Sequence, residues 1–142
     1  MIRFTVFAEP VAKARARVCY NQHLGRAISY TPKKTANFET LVAGAAEYHR
    51  PKSGLLTGPI WLDIVIYRSI PKSMSKRKAA LAEAGEIRPA TRPDGDNYEK
   101  AVCDALSGLI WKDDGQIVDC RWQKYYSVTP RVVVAITEGG AS

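Results

Sequence analysis

The stretch Arg92–Asp114, RPDGDNYEKAVCDALSGLIWKDD, decides how the rest of the chain is read. Two acids one residue apart, Asp94 and Asp96, precede a helical pattern that carries Lys100 and Asp104, and a turn bearing Asp113 and Asp114 follows. Asp96 has the short acceptor side chain that suits the free N–H groups opening a helix, and is expected as its cap. Behind it Tyr98, Val102, Ala105 and Leu109 recur at helical spacing, which predicts one apolar, buried face. Lys100 and Asp104 follow Asp96 by four and eight residues, so they lie along the adjoining polar face. Gly108 stands near the helix end, where glycine closes a helix in the left-handed conformation. The apolar Leu109–Trp111 then runs into Lys112-Asp113-Asp114-Gly115, a turn by composition. The chain doubles back there and is expected to bring the second acid pair towards the first.

Four carboxylates, Asp94, Asp96, Asp113 and Asp114, are thus candidates to converge on one divalent cation. Hard oxygen donors suit Mg²⁺, with Mn²⁺ as a substitute, and no imidazole or thiolate stands at a spacing that zinc would want. A cation held this way polarises a phosphoryl oxygen and activates a bound water. Lys100, one turn from Asp96, would stabilise transition-state charge or orient the nucleophile. Asp-x-Asp alone is a weak signal, since turns and caps use Asp for their own reasons. An acid pair, a Lys one turn later and a second pair 20 residues after the first is far more specific.

Outward from that centre, 142 residues suit a single domain spanning 1–142, with 46% hydrophobic and 25% charged residues. Lys and Arg number 21 against 14 Asp and Glu, a net charge of +7. Such a surplus favours a polyanionic partner, although many basic proteins have none. Cys19, Cys103 and Cys120 are an odd number without C-x-x-C spacing, which argues against a disulfide framework or a zinc site. No run reaches the roughly 18 apolar residues of a membrane span, and no signal-peptide pattern opens the chain; the expectation is a cytoplasmic protein with no membrane partner.

Ile2–Ala8 alternates as a strand, and VAKARARV beyond Pro10 places Lys13, Arg15 and Arg17 at a period of two. If extended, that segment turns three cations to one side, either against phosphates or as a charged edge strand. A helix is expected from about Thr35 to Tyr48, a central strand over Ile60–Tyr67, and a short basic helix from Ser73 or Ser75 to Ala84. Gln116–Tyr126 and Arg131–Thr137 read as strands, joined at Ser127–Pro130 by a connection of hairpin length. In the first of these, Ile117, Asp119, Arg121, Gln123 and Tyr125 share one face, while Lys124 lies with Val118, Cys120 and Trp122 on the more apolar one. With Lys33, Lys34, Lys76, Arg92 and Lys124, the three cations of VAKARARV make up the candidate DNA-contacting set. His23 and His49 have no partners at ligand spacing and read as structural. The expected architecture is α+β: a mixed sheet of four to five strands with two to three helices packed on it.

The stretch RPDGDNYEKAVCDALSGLIWKDDGQIVD resembles the signature of RusA-type Holliday-junction resolvases, common in bacteria and their prophages. The family pattern P-D-x-D-N-x-x-K-x-x-x-D-A-L-x-G followed by D-D-x-Q-I-V is matched from Pro93 to Val118, and KARARV, YTP-x-x-T and IPKSMSK extend the likeness. The resemblance implies metal-binding catalytic acids at Asp94, Asp96 and Asp114, with Lys100 as the catalytic lysine. Asp113 matches the acid beside the third, and Asp104 a residue whose implied role is structural, holding Lys100 by an i,i+4 pair. Gly95 departs from the aliphatic residue common between the two acids. A homodimer acting on four-way DNA junctions in recombination and repair is also implied. The alternatives are a nuclease for flaps or D-loops, and a non-catalytic basic DNA-binding module.

Overall fold

The computed structural model describes residues 1–14, 17–30 and 32–139, without the side chains of Arg17, Val18, Ser29 and Tyr30. In order the chain forms β1 (Ile2–Val6), β2 (Arg17–Asn21), β3 (Arg26–Tyr30), α1 (Lys33–Glu47), β4 (Ile60–Ser69), α2 (Lys76–Glu83) and α3 (Gly95–Leu106). A 3-10 turn (Asp114–Gln116) then leads into β5 (Ile117–Ser127) and β6 (Arg131–Glu138). The architecture is α+β, a mixed four-stranded sheet in the order β1-β6-β4-β5, with β2 and β3 as a separate two-stranded sheet. Among the described residues no helix is long and apolar enough to cross a membrane.

The order of the sheet corrects the expected hairpin between β5 and β6. They do not pair; β4 lies between them, antiparallel to β6 and parallel to β5. The reason is apolar burial: Ile60, Leu62, Ile64 and Ile66 are at most 2% exposed, so β4 takes the centre and has both edges paired. Residues 128–130 step across the end of β4, and α2 and α3 make up the long crossover that a parallel pair requires. On the inner face, Val132, Val134 and Ile136 of β6 and Phe4 and Val6 of β1 continue the core beneath α1 and α3. Truncating one of these buried aliphatic side chains to alanine costs about 2–5 kcal/mol, a large share of a domain's stability.

Three further readings change. The strand in the basic arm begins at Arg17, beyond VAKA, and pairs with Arg26–Tyr30 in a hairpin that local alternation had not announced. Asp94, not Asp96, occupies the cap position of α3, and Asp96 lies in its first turn. The helix closes at Leu106, with Gly108 at φ +82° as expected, so Leu109 packs from the following turn. In β5 the register slips between Ile60↔Ile117 and Trp61↔Asp119, which leaves Val118 as a bulged extra residue. The bulge turns Ile117 to the helix side of the sheet, where it borders the candidate site.

Candidate metal centre

Helix α3 presents two faces because its apolar residues recur every three to four positions. Tyr98, Ala101, Val102 and Leu106 are buried, while Asp96, Glu99, Lys100, Cys103 and Asp104 line an open hollow of about 440 Å³. Asp114 and Ile117 close its far side. Asp96, Lys100, Asp104 and Asp114 therefore line one hollow. Asp94 is exposed and does not line it. Among the described residues, no three His, Cys, Asp or Glu side chains lie close enough together to hold one ion.

Asp114 is aimed by residues distant in sequence. The buried Trp111 donates its indole N–H to Asp114 Oδ1 at 2.8 Å. The turn beneath is clasped by the loop before β4: Leu56 exchanges backbone hydrogen bonds with Ile110 and Lys112. Gln116 Nε2 donates to the carbonyls of Leu56 and Gly58 at 2.8 and 3.0 Å. Asp113 is differently employed. Its carboxylate accepts from the Gly115 N–H, and its own N–H donates to Gln116 Oε1, a capping box that holds the turn. Asp113 thus braces the turn, and it does not line the hollow.

Glu99 was not singled out in the sequence, yet it lines the hollow. The signal was present: Asp96, Glu99, Lys100, Cys103 and Asp104 stand at i, i+3, i+4, i+7 and i+8, one face of a helix. The Glu99 carboxylate also lies near the Cys120 thiol on β5. Burial, then the charges of Asp114, Glu99 and Asp104, pushes the Cys103 thiol up to about 12; burial and Glu99 likewise raise Cys120. Both shifts favour the protonated thiols, so the charged donors around the hollow are carboxylate oxygens. In kind these fit Mg²⁺ or Mn²⁺, which keep several waters and take only one or two protein carboxylates beside substrate phosphates.

Several candidate cations are committed elsewhere. Lys13 Nζ pairs with Glu39 at 2.7 Å and with Asp104 at 3.0 Å, so Asp104 holds Lys13 and not Lys100. The Lys13 N–H donates to the carbonyl of Asn97, which ties the basic arm to α3. Lys124 Nζ donates to the carbonyls of Thr91 and Pro93 and so ties β5 to the loop carrying Asp94. Arg92 is exposed, and its carbonyl accepts from Arg68. Lys33 and Lys34 in the first turn of α1, and Lys76 opening α2, are exposed and free to meet an anion. Arg15 and the side chain of Arg17 lie outside the described residues. His49 stacks on Phe4, in keeping with a structural role.

The family model described as Endodeoxyribonuclease RusA matches residues 8–137. The sequence is also 46% identical over 142 residues, 99% of this chain and 98% of the relative, to a Bacillus subtilis (strain 168) protein named Uncharacterized protein YqaN.

Proposed function

The chain belongs to the RusA family of endodeoxyribonucleases, and on that premise we propose that it cuts branched DNA, chiefly four-way junctions, in a reaction that depends on Mg²⁺ or Mn²⁺. The observation that carries this reading is the placement of Asp96, Lys100 and Asp114 around one open hollow, in a protein of net charge +7. Asp96 and Asp114 would hold the cation, one or two carboxylates being what such an ion takes beside substrate phosphates. When bound, the metal supplies positive charge that polarises a phosphoryl oxygen and lowers the pKa of a water. Lys100 places its ammonium where charge grows on the attacked phosphate. The hydrogen bond from Trp111 holds Asp114 in the orientation that serves this, so less reorganisation remains for the reaction itself. Two copies about a two-fold axis would nick opposed strands symmetrically, the arrangement by which a homodimer resolves a junction in recombination or repair.

Asp96→Asn and Asp114→Asn, made separately, should abolish Mg²⁺-dependent cutting of a synthetic junction while binding persists. Undiminished cutting by both variants would sink the assignment. Flap, D-loop and duplex substrates run beside the junction rank the preference among branched forms. Tight binding without metal-dependent cutting of any of them would favour a DNA-binding module instead.

A further inference from the structure

The molecule's excess charge is concentrated in one place. Residues 10–38 contain six cations, Lys13, Arg15, Arg17, Arg26, Lys33 and Lys34, and no Asp or Glu, whereas the remaining residues hold 15 cations against 14 acids. At the centre of that stretch stands the β2–β3 hairpin, which among the described residues forms no hydrogen-bonded ladder with the main sheet and makes only sparse contact with other elements. A lone two-stranded hairpin is marginal in water, so such an arm gains order from whatever it lies against.

Its surface chemistry indicates what that is. Tyr20 is 64% exposed and Leu24 56% exposed. The cross-strand partner of Tyr20 is Ala27, too small to cover the ring, so one aromatic face is left open. Arg26 is exposed at the head of β3, opposite Asn21. Neighbouring cross-strand pairs face opposite sides of a ribbon, so Tyr20 with Ala27 and Arg26 with Asn21 stand on opposite sides of the arm, one pair apart at its turn end. An open aromatic face on an element that also carries a cation is a combination that grips unstacked nucleotides, the ring stacking on a base and the cation meeting a phosphate. The arm is also rooted at the site. Lys13, before it, is joined to Asn97 and Asp104 of α3, and α1 begins three residues after it, with Thr35 hydrogen-bonded to Ala12.

We propose that the β2–β3 hairpin is a branch-reading arm: Tyr20 stacks on a base face left unstacked at a DNA branch, and Arg26, on the other side of the ribbon, contacts a phosphate of the strand that passes round the turn. This rests on the nuclease reading above and deepens it by assigning the preference for branched over duplex DNA to an element outside the hollow. A continuously stacked duplex offers no free base face to Tyr20, so the arm discriminates by what the branch exposes.

The test measures binding by fluorescence anisotropy, without divalent metal, to a four-way junction and to a duplex of the same composition. The full-length protein is compared with Tyr20→Ala, Tyr20→Phe and Arg26→Ala. Tyr20→Ala should weaken junction binding roughly tenfold, the scale of losing one base stack, and leave duplex binding nearly unchanged. Tyr20→Phe keeps the ring and should bind as the native protein does. Arg26→Ala should weaken both substrates and reduce the slope of log affinity against log salt by about one. A 2-aminopurine at the branch point should be quenched by the native protein and by Tyr20→Phe, but not by Tyr20→Ala. Equal junction affinity in Tyr20→Ala and the native protein overturns the proposal while leaving metal-dependent cutting untouched. So does a Tyr20→Ala change confined to oligomeric mass in sedimentation, which would make the arm a contact between copies. Failure of the native protein to bind or cut the junction overturns both readings.

Discussion

The indole of Trp122 lies over Gly95, in the space where any larger residue would carry its Cβ. Gly95 opens α3 between the two acids of the D-x-D pair, and Trp122 projects from the helix side of β5. The missing aliphatic side chain and the large aromatic one are two halves of a single packing solution. Gly95→Ala forces the body of the ring to move and should destabilise by about 1–3 kcal/mol, the usual cost of overpacking. Trp122→Ala opens the room again, so the double variant should lose less than the two single losses combined. Urea unfolding of all four proteins measures the coupling; strict additivity would show that the two residues do not share this space.

The hydrogen bond from Trp111 to Asp114 can be removed with most of the core kept. Trp111→Phe deletes the indole donor, and loss of a hydrogen bond to a charged acceptor costs about 1.5–3 kcal/mol. Metal-dependent cutting should fall along with stability, while junction affinity holds, because the residue touches no solvent. Cleavage at the native rate would mean that Asp114 is oriented by something other than the indole.

Lys124 separates two readings of one cation. As a phosphate contact, its loss would lower the salt dependence of DNA binding by about one unit of slope. As the anchor of Thr91 and Pro93, its loss should leave that slope alone and reduce cutting by loosening the segment that leads to Asp94. The second outcome is expected for Lys124→Met, with salt titrations of binding and single-turnover cleavage as the measurements.

Lys13 gives stability a signature at high pH. Burial lowers its pKa, but hydrogen bonds and charge from Glu39 and Asp104 outweigh that, and the net shift is upward from the usual 10.5. A raised native value means the charged form is favoured by folding, so its contribution is complete below about 10.5 and drains away as pH climbs through the native value. The stability difference between native protein and Lys13→Met should therefore be flat to pH 9 and shrink above 10.5 in urea titrations. A gap of constant size through pH 12 would contradict the pairing.

Removing divalent metal should silence cutting and leave the melting temperature unchanged. The core beneath α1 and α3 closes without reference to the hollow, which is an open surface feature. Activity after EDTA treatment and calorimetry on the same sample check this; a large fall in melting temperature would make any bound metal a structural one.

How much could be read in advance follows the range of the interactions involved. The helix bearing Lys100 and Asp104, the central strand and the turn with Gly108 were visible because each is written within a dozen neighbouring residues. Glu99 stands on the same helix face and was equally visible by its spacing. The insertion of β4 between β5 and β6, the bulge at Val118 and the β2–β3 hairpin depend on pairings across the chain that no local pattern states. Side-chain employment was the least legible. Asp113 and Asp114 are adjacent and chemically identical, yet one caps a turn and the other is held by Trp111 at the hollow.

The clasp between Leu56–Gly58 and the Trp111–Gln116 turn gives the protein a built-in interlock. Its two halves lie on opposite sides of the loop that joins β4 to α2, so a chain cleaved between them would divide Asp114 from the segment that steadies its turn. The turn is complete only once distant parts of the polypeptide have met.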